Sequence, residues 1–430
     1  MIFSILKWYF FKYSYSNGLL HIRSGVFIKK ERFIKKERVQ TIKNKAGILL
    51  RIFGLVTLQI ETAGGYVVPE VFIEAIDKDK AEYIRSALRG EDVDASDSGA
   101  EPKNELSSQN TWKVSYKRLV IAGMTSGGIG VIFSLLAVIF GQGMAFLPER
   151  FIDSMFKTFQ NTHINLLILL ILIVFIISWV VSILRFVISY GEFTITKTGD
   201  EIQITRGLIE QKQLTLKNHR IQAIRIEEGL LRQPLGYALI QVEVAGGGSE
   251  DNGFKTILHP MLKREELQLF LNFVTPERTF STDYIRLPKK SLRRYLLRAT
   301  LPLVPLFLLF YFVPFVWIWV GFIIFFVSGY LGYLRYKDGG FKLLNQELIL
   351  RYRIISRTTV LIKKTQVQSM QLKTNFIQKR KNLTTVSASV LSALLSTTFT
   401  LKDINHKSGK ELWLWLSKSI EDEKKQSSSV

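Results

Sequence analysis

One passage of the chain occurs three times, so whatever it specifies must be built three times over. The first copy runs from Leu20 through Gly25 to Arg38-Val39-Gln40 and on to Gly54. The second reads Ile202, Gly207, Arg220-Ile221-Gln222 and Gly236, and the third Leu348, Arg353, Gln366-Val367-Gln368 and Asn382. Thirteen positions separate Gly25 from Arg38 and fourteen separate Gln40 from Gly54, and both spacings hold in every copy. The apolar residues inside the copies alternate with period 2. A repeat of this length and period predicts three copies of a small β-rich domain rather than a solenoid, whose units are shorter.

Three small cores do not use up the apolar residues, which make up 47% of the 430-residue chain. The surplus is concentrated in Leu119 to Leu147, Ile164 to Leu184 and Ala299 to Leu334, which are nearly free of charge. Roughly 20 apolar residues suffice to cross about 30 Å of hydrocarbon, so these predict an integral membrane protein. As one helix, Ala299 to Leu334 would be about 54 Å long at roughly 1.5 Å per residue, too long for the usual tilts. It is therefore expected to break at Pro314 into two short spans. The formal charge of +22 would suggest nucleic acid in a soluble protein, but here basic residues flanking the spans account for much of it. Lys113, Lys117 and Arg118 enter the first pair of spans, Arg185 leaves it, and Arg335 and Lys337 leave the second. That asymmetry places every repeat in the cytoplasm and Pro148 to His163 outside. Gly123 and Gly127 have a small-xxx-small spacing that either admits a second helix or is incidental in a glycine-rich span.

Turn chemistry divides the first repeat. Asn17-Gly18 between alternating runs predicts a hairpin, Gly25 a second turn, Leu49 to Phe53 a short helical turn, and Asp77 the cap of a helix reaching Leu88. In the second repeat Thr198-Gly199-Asp200 joins two strands, and Pro260 is expected to open the closing helix. The third closes with a helix over about Lys410 to Ile420. The expected organisation is a possible remnant of a span at 1–11, domains at 12–89, 190–275 and 336–420, an acidic disordered linker at 90–111, spans at 112–189 and 289–335, and a polar tail at 421–430.

The glycine turn, the Arg-Val-Gln strand, Leu49 to Leu55 and the following Leu58-Gln59-Ile60-Glu61-Thr62-Ala63-Gly64-Gly65 together resemble the bacterial pleckstrin-homology-like (bacterial PH) domain found in membrane proteins of Gram-positive bacteria. The resemblance implies an α+β membrane protein in which three PH-like β-barrel domains, each of seven strands and a C-terminal capping helix, alternate with transmembrane helical hairpins. It implies no catalytic residues.

Residues that would carry chemistry are missing from the sequence. There is no cysteine, which removes thiol catalysis and disulfides. His21, His163, His219, His259 and His406 lack ligand partners at i+3 or i+4, and neither a phosphate loop nor a Gly-x-Ser-x-Gly elbow is present. Neither a metal nor a cofactor is expected, and no nucleic acid, since no platform of basic and aromatic residues appears. Two basic clusters stand out. Lys289, Lys290, Arg293, Arg294 and Arg298 precede a span and are candidate lipid-headgroup contacts. Lys29, Lys30, Arg32, Lys35 and Lys36 follow Gly25 and form a candidate partner surface. The expected function is a non-enzymatic scaffold in the cell membrane, multi-pass, presenting cytoplasmic PH-like domains to membrane-protein partners or lipid headgroups. A role in envelope stress suits it, and self-association is open. The alternative is a transporter or channel component that the domains regulate. Exposed edge strands are the expected docking points for a partner strand.

Overall fold

A computed structural model describes residues 6, 9–16, 18–62, 71–89, 111–126, 134, 138, 164–245, 255–305, 316–344, 346–392 and 396–427. The first repeat comprises β1 (Lys12–Ser16), β2 (Leu19–Ser24), β3 (Lys30–Lys35), β4 (Val39–Ala46), α1 (Ile48–Ile52), β5 (Leu55–Thr62), β6 (Val71–Asp77) and α2 (Lys78–Arg89). Then come β7 (Thr111–Lys113), α3 (Tyr116–Met124) and the long α4 (Ile164–Tyr190). The second repeat continues with β8 (Thr194–Thr198), β9 (Glu201–Arg206), β10 (Gln211–Lys217), β11 (Ile221–Glu228), β12 (Tyr237–Val244), β13 (Lys255–Lys263) and α5 (Leu267–Val274). After β14 (Ile285–Arg286), α6 (Leu292–Thr300) and α7 (Val316–Asp338), the third repeat has β15 (Gly340–Leu343), β16 (Glu347–Arg353), β17 (Arg357–Lys363), β18 (Val367–Lys373), α8 (Phe376–Arg380), β19 (Leu383–Val390), β20 (Thr397–Asn405) and α9 (His406–Ser427).

The repeat spacing is explained by these elements. Gly25 and Gly207 take φ of +116° and +105°, and a Cβ there would lie 1.9 Å and 2.1 Å from the carbonyl oxygens of Ile28 and Glu210. Only glycine fits such a turn. Gly54 and Gly236 have φ of +69° and +70°, and Asn382 keeps that left-handed conformation at +53°, which asparagine tolerates better than most residues. Pro260 lies within β13 instead of opening a helix. β13 is an edge strand, where a missing N–H costs little, and Leu262 reaches the core from that strand.

Strand pairing joins the repeats to one another. One antiparallel seven-stranded sheet has the order β6-β5-β4-β10-β9-β8-β7, and another β13-β12-β11-β17-β16-β15-β14. The C-terminal strands of each repeat thus continue into the N-terminal strands of the next, through β4·β10 and β11·β17. The flanking groups β1-β2-β3 and β18-β19-β20 form separate three-stranded sheets. The cores interlock at the second junction. Ile349 and Leu361 of the third repeat pack in the core of the second, while Ala223 of the second packs in that of the third.

The sheets also reach back across the apolar segments. β7 pairs with β8, Thr111 opposite Thr196 and Lys113 opposite Thr194. β14 pairs with β15, Ile285 opposite Phe341. In the second and third repeats the first strand of the repeat therefore precedes the apolar segment and the other six follow it. Among the described residues two helices are long and apolar enough to cross a membrane: Leu172–Tyr190 within α4, with mean hydropathy 2.5, and Trp319–Asp338 within α7, with mean hydropathy 1.2. Their leucine, isoleucine, valine and aromatic side chains face outward. A surface so apolar needs lipid or another protein against it. Gly123 of α3 lets α4 come close, a Cβ there lying 3.2 Å from Ile183 Cα. Residues 1–11, the linker at 90–111, Gly127, the loop 148–163 and the break expected at Pro314 fall wholly or largely outside the described residues.

Arg278, only 1% exposed, bolts the second junction. Its guanidinium donates to the carbonyls of Leu361 (2.9 Å) and Ile221 (3.0 Å), one from each strand, and to Gln366 Oε1 (2.9 Å). Glu347 lies 3.9 Å away. Burial pushes the Arg278 pKa down to about 10, which still leaves it charged at neutral pH. Arg278→Ala would remove the donor that bridges Leu361 O and Ile221 O and the cation beside buried Glu347, which would keep the Thr279 N–H (3.3 Å), a loss of about 3 kcal/mol or more. Denaturant unfolding of the detergent-solubilised chain should show it as a lowered midpoint.

Candidate membrane-contact surface

The ends of the apolar helices are fastened to the sheets by specific contacts. At the end of α4, Leu208 N donates to Ile188 O (2.9 Å) and Gly207 N to Gly191 O (2.7 Å). On α3, the carbonyl of Ala122 accepts from Arg232 Nη2 (3.1 Å) and Thr125 Oγ1 from Arg232 Nε (2.9 Å). At the end of α7, Asp338 accepts from Arg353 Nε (2.5 Å) and Arg351 Nη2 (3.1 Å), while Arg335 Nε donates to Ile354 O (2.9 Å). Arg353 stands where the other repeats have glycine, and its side chain makes this clamp. These contacts put the β9–β10 and β16–β17 turns at the helix ends.

The juxtamembrane cluster divides between two roles. Asp403 on β20 is fully buried, with φ of +59°. It accepts from Arg294 Nε (2.9 Å), Arg298 Nη2 (2.8 Å) and Gln378 Nε2 (2.8 Å). Ser291 Oγ donates to its carbonyl (2.6 Å). Arg294 and Arg298 therefore tie α6 to the third repeat. Lys289, Lys290 and Arg293 remain exposed beside them. The second cluster is spread along β3 and the turn after it: Lys29, Lys30, Arg32, Lys35 and Lys36 are all exposed.

A third feature was not singled out in the sequence. The segment after β4, β11 and β18 carries exposed apolar side chains at matching positions: Ile48 and Leu49, Leu230 and Leu231, Phe376 and Ile377, with Ile52, Phe53 and Leu235 beside them. Each tip lies close to a helix end. Arg51 of α1 donates to the carbonyl of Leu208 (3.2 Å), itself bonded to α4. Gln233 of the second tip bonds to Arg353, which holds Asp338 of α7. Gln378 of the third shares Asp403 with Arg294 and Arg298 of α6. The period-2 and period-3.6 patterns that mark buried faces do not mark these residues. Their signal is the recurrence of apolar residues at one position of the repeat.

Among the described residues no group of three or more His, Asp or Glu is placed to hold a metal. His21 stacks on Phe33 at 4.3 Å between ring centroids, and His219 contacts Asp200 (2.9 Å). His259 is buried, with Phe270 edge-on at 5.2 Å, and its Nδ1 accepts from Met261 N (3.2 Å). Burial, with a smaller contribution from Arg118, lowers its pKa to about 3.

Comparison with known proteins decides the family. A model of the bacterial PH domain matches residues 1–92, 132–278 and 300–420. The chain belongs to the bacterial PH domain family. This bacterial PH domain protein is also 34% identical to the UPF0699 transmembrane protein YdbT of Bacillus subtilis (strain 168), over 96% of this chain and 86% of the relative. It is thus a membrane protein with repeated bacterial PH domains, and both likenesses point to a non-catalytic one.

Two outcomes follow from the buried groups. Asp403→Ala should release Arg294 and Arg298 of the bacterial PH domain protein, and limited trypsin digestion in detergent should then cut at these arginines faster than in the wild type. His259 stays neutral in the folded chain below its unfolded pKa of about 6.5, where the unfolded chain takes up a proton. Its contribution is complete above that pH and is lost as pH falls, by about 2 kcal/mol at pH 5. His259→Phe should therefore show a smaller drop in unfolding midpoint between pH 7 and pH 5 than the wild type.

Proposed function

We propose that the protein is a non-enzymatic, multi-pass scaffold of the cell membrane that holds its PH-like domains against the cytoplasmic leaflet. There they engage anionic lipid headgroups and offer a surface to membrane-protein partners. The observation that carries this reading is the set of three apolar tips, the first two tied to the ends of α4 and α7 and the third to the juxtamembrane helix α6. At that level a leucine, isoleucine or phenylalanine side chain gains by entering the interface. Lys289 and Lys290 precede α6 and Arg293 lies in its first turn, and Lys29 and Lys30 follow the exposed Phe27 and Ile28. Each basic residue near an anionic leaflet adds about 1 kcal/mol. Domains held in this way suit a part in the response to envelope stress.

One-sidedness has its own support. A β-ladder cannot continue through hydrocarbon unless it closes into a barrel, so repeats that share sheets belong on one side of the bilayer. The pairings of β7 with β8 and β14 with β15 bring each apolar segment back to the sheet it left. Such a segment crosses an even number of times, as a hairpin does. The basic flanks make the shared side cytoplasmic.

Because the chain has no native cysteine, single thiols can report both depth and side. Nitroxides attached to Leu49→Cys, Leu231→Cys and Phe376→Cys in anionic vesicles should be relaxed more by oxygen than by a water-soluble nickel chelate, with the reverse at Thr282→Cys. Aqueous behaviour at all three tips would overturn the lipid contact. In intact cells Ser154→Cys should be labelled by an impermeant maleimide and Thr282→Cys should not. Ion flux through reconstituted protein above that of empty vesicles would favour transport instead.

A further inference from the structure

The two junctions between repeats are built in the same register. Aligning Gly25, Gly207 and Arg353, and likewise Val39, Ile221 and Val367, makes β3, β10 and β17 one equivalent strand and β4, β11 and β18 another. At the first junction Gln211 pairs with Ala46, Lys212 with Lys45, Gln213 with Asn44, Leu214 with Lys43 and Thr215 with Ile42. At the second Arg357 pairs with Glu228, Thr358 with Glu227, Thr359 with Ile226, Val360 with Arg225 and Leu361 with Ile224. Gln211 and Arg357 both stand four residues after the Gly25 position, and Ala46 and Glu228 both stand seven after the Val39 position. One mode of association has therefore been used twice.

The third copy of each strand has no such partner among the described residues. β3 is the edge of the sheet β1-β2-β3 and β18 the edge of β18-β19-β20. Phe33 on β3 is 60% exposed, while its equivalents Thr215 and Leu361 are buried at 7% and 0%. Among the described residues β6, β13 and β20 are sheet edges in all three repeats alike, so they are a property of the unit. By contrast, β3 and β18 are edges among the described residues although their equivalents β10 and β17, and β4 and β11, are paired between repeats.

We propose that β3 of one molecule pairs antiparallel with β18 of a second copy of this chain, extending the array head to tail. The repeated register sets Lys29 opposite Thr374, Lys30 opposite Lys373, Glu31 opposite Leu372, Arg32 opposite Gln371, Phe33 opposite Met370 and Ile34 opposite Ser369. Phe33 then covers Met370 as Thr215 covers Ile42 and Leu361 covers Ile224. The match also accounts for a feature that would otherwise argue against pairing. Lys30 faces Lys373, and like charges directly opposite are unfavourable, yet the first junction already holds Lys212 opposite Lys45. A second copy is a better occupant than an unrelated strand because both halves of the junction exist in this chain, on repeats joined through continuous sheets. The contact is heterologous, so copies close into a ring if the rotation allows and otherwise form an open row in the membrane.

The test uses two full-length chains with different tags, co-expressed in native membranes, one bearing Lys30→Cys and the other Lys373→Cys. Each has a single thiol, so no disulfide can form within a chain. Oxidation should give a doubly tagged dimer roughly tenfold above either variant alone and above a control joining Lys373→Cys to Glu74→Cys on β6; the Cα separation in such a ladder falls within disulfide reach. Adding Phe33→Lys should reduce the dimer, and adding Met370→Glu to the other chain should restore it, which a damaged fold would not allow. Absence of the doubly tagged dimer, equal yield at the control, or capture of a different protein at Lys30→Cys would each overturn the proposal.

Discussion

The structure depends on backbone hydrogen bonding between repeats. A strand at the edge of a sheet presents N–H and C=O groups that must find partners in protein or water. Here the edges left by a six-strand unit are satisfied by the next unit, through β4·β10 and β11·β17. The domains are consequently not beads on a membrane anchor. Their relative positions are set by ladder geometry, and the apolar helices inherit those positions because both ends of each segment are stitched into the same sheet by β7 or β14.

The two junctions use different chemistry beside their common ladder. The second is lined by buried charge: Arg357 with Glu228, Arg278 with Glu347, and Arg353 with Asp338. Removing these ions from water is costly, so such pairs contribute specificity more than stability, and breaking one costs more than the pair is worth. The first two can be satisfied only when the second and third repeats are in register, while the third holds α7 to the third repeat. At the first junction the cross-strand contact of Asn44 with Gln213 is neutral, at 3.3 Å, and Arg51 reaches Leu208 from an exposed position.

Much of this was legible in the residues. The spacing of Gly25, Arg38 and Gly54 reports one backbone path, since positive φ at two points fixes where strands must turn. Alternation marked the strands, and Asp77 marked a helix start, where Asp79 N donates to its carboxylate (2.9 Å). The choice of pairing partner was not legible. Period-2 alternation is the same whether β4 pairs within its repeat or with β10. β7 and β14 span three and two residues, too short to show a period. Arg294 and Arg298 read as headgroup contacts because a run of basic residues before a span has that appearance. Their partner Asp403 is more than a hundred positions away and is itself a left-handed residue that no turn motif announces. Pro260 read as a helix start because proline favours that place, and an edge strand at a register shift accepts it equally well.

The third repeat shows how far the unit can drift while the array is kept. Asn382 preserves the left-handed turn, so the path from β18 through α8 into β19 is unchanged. Arg353 gives up the glycine turn and gains a side chain that grips Asp338 at the end of α7. The corresponding glycine in the second repeat, Gly207, makes its attachment to the membrane helix through a backbone bond to Gly191. A backbone bond fixes one point, whereas the arginine fork also reaches Gln233 and Ile355 and so ties a helix, a turn and the preceding repeat together. The loss of repeat symmetry at Arg353 is therefore a gain in connection between membrane helix and sheet.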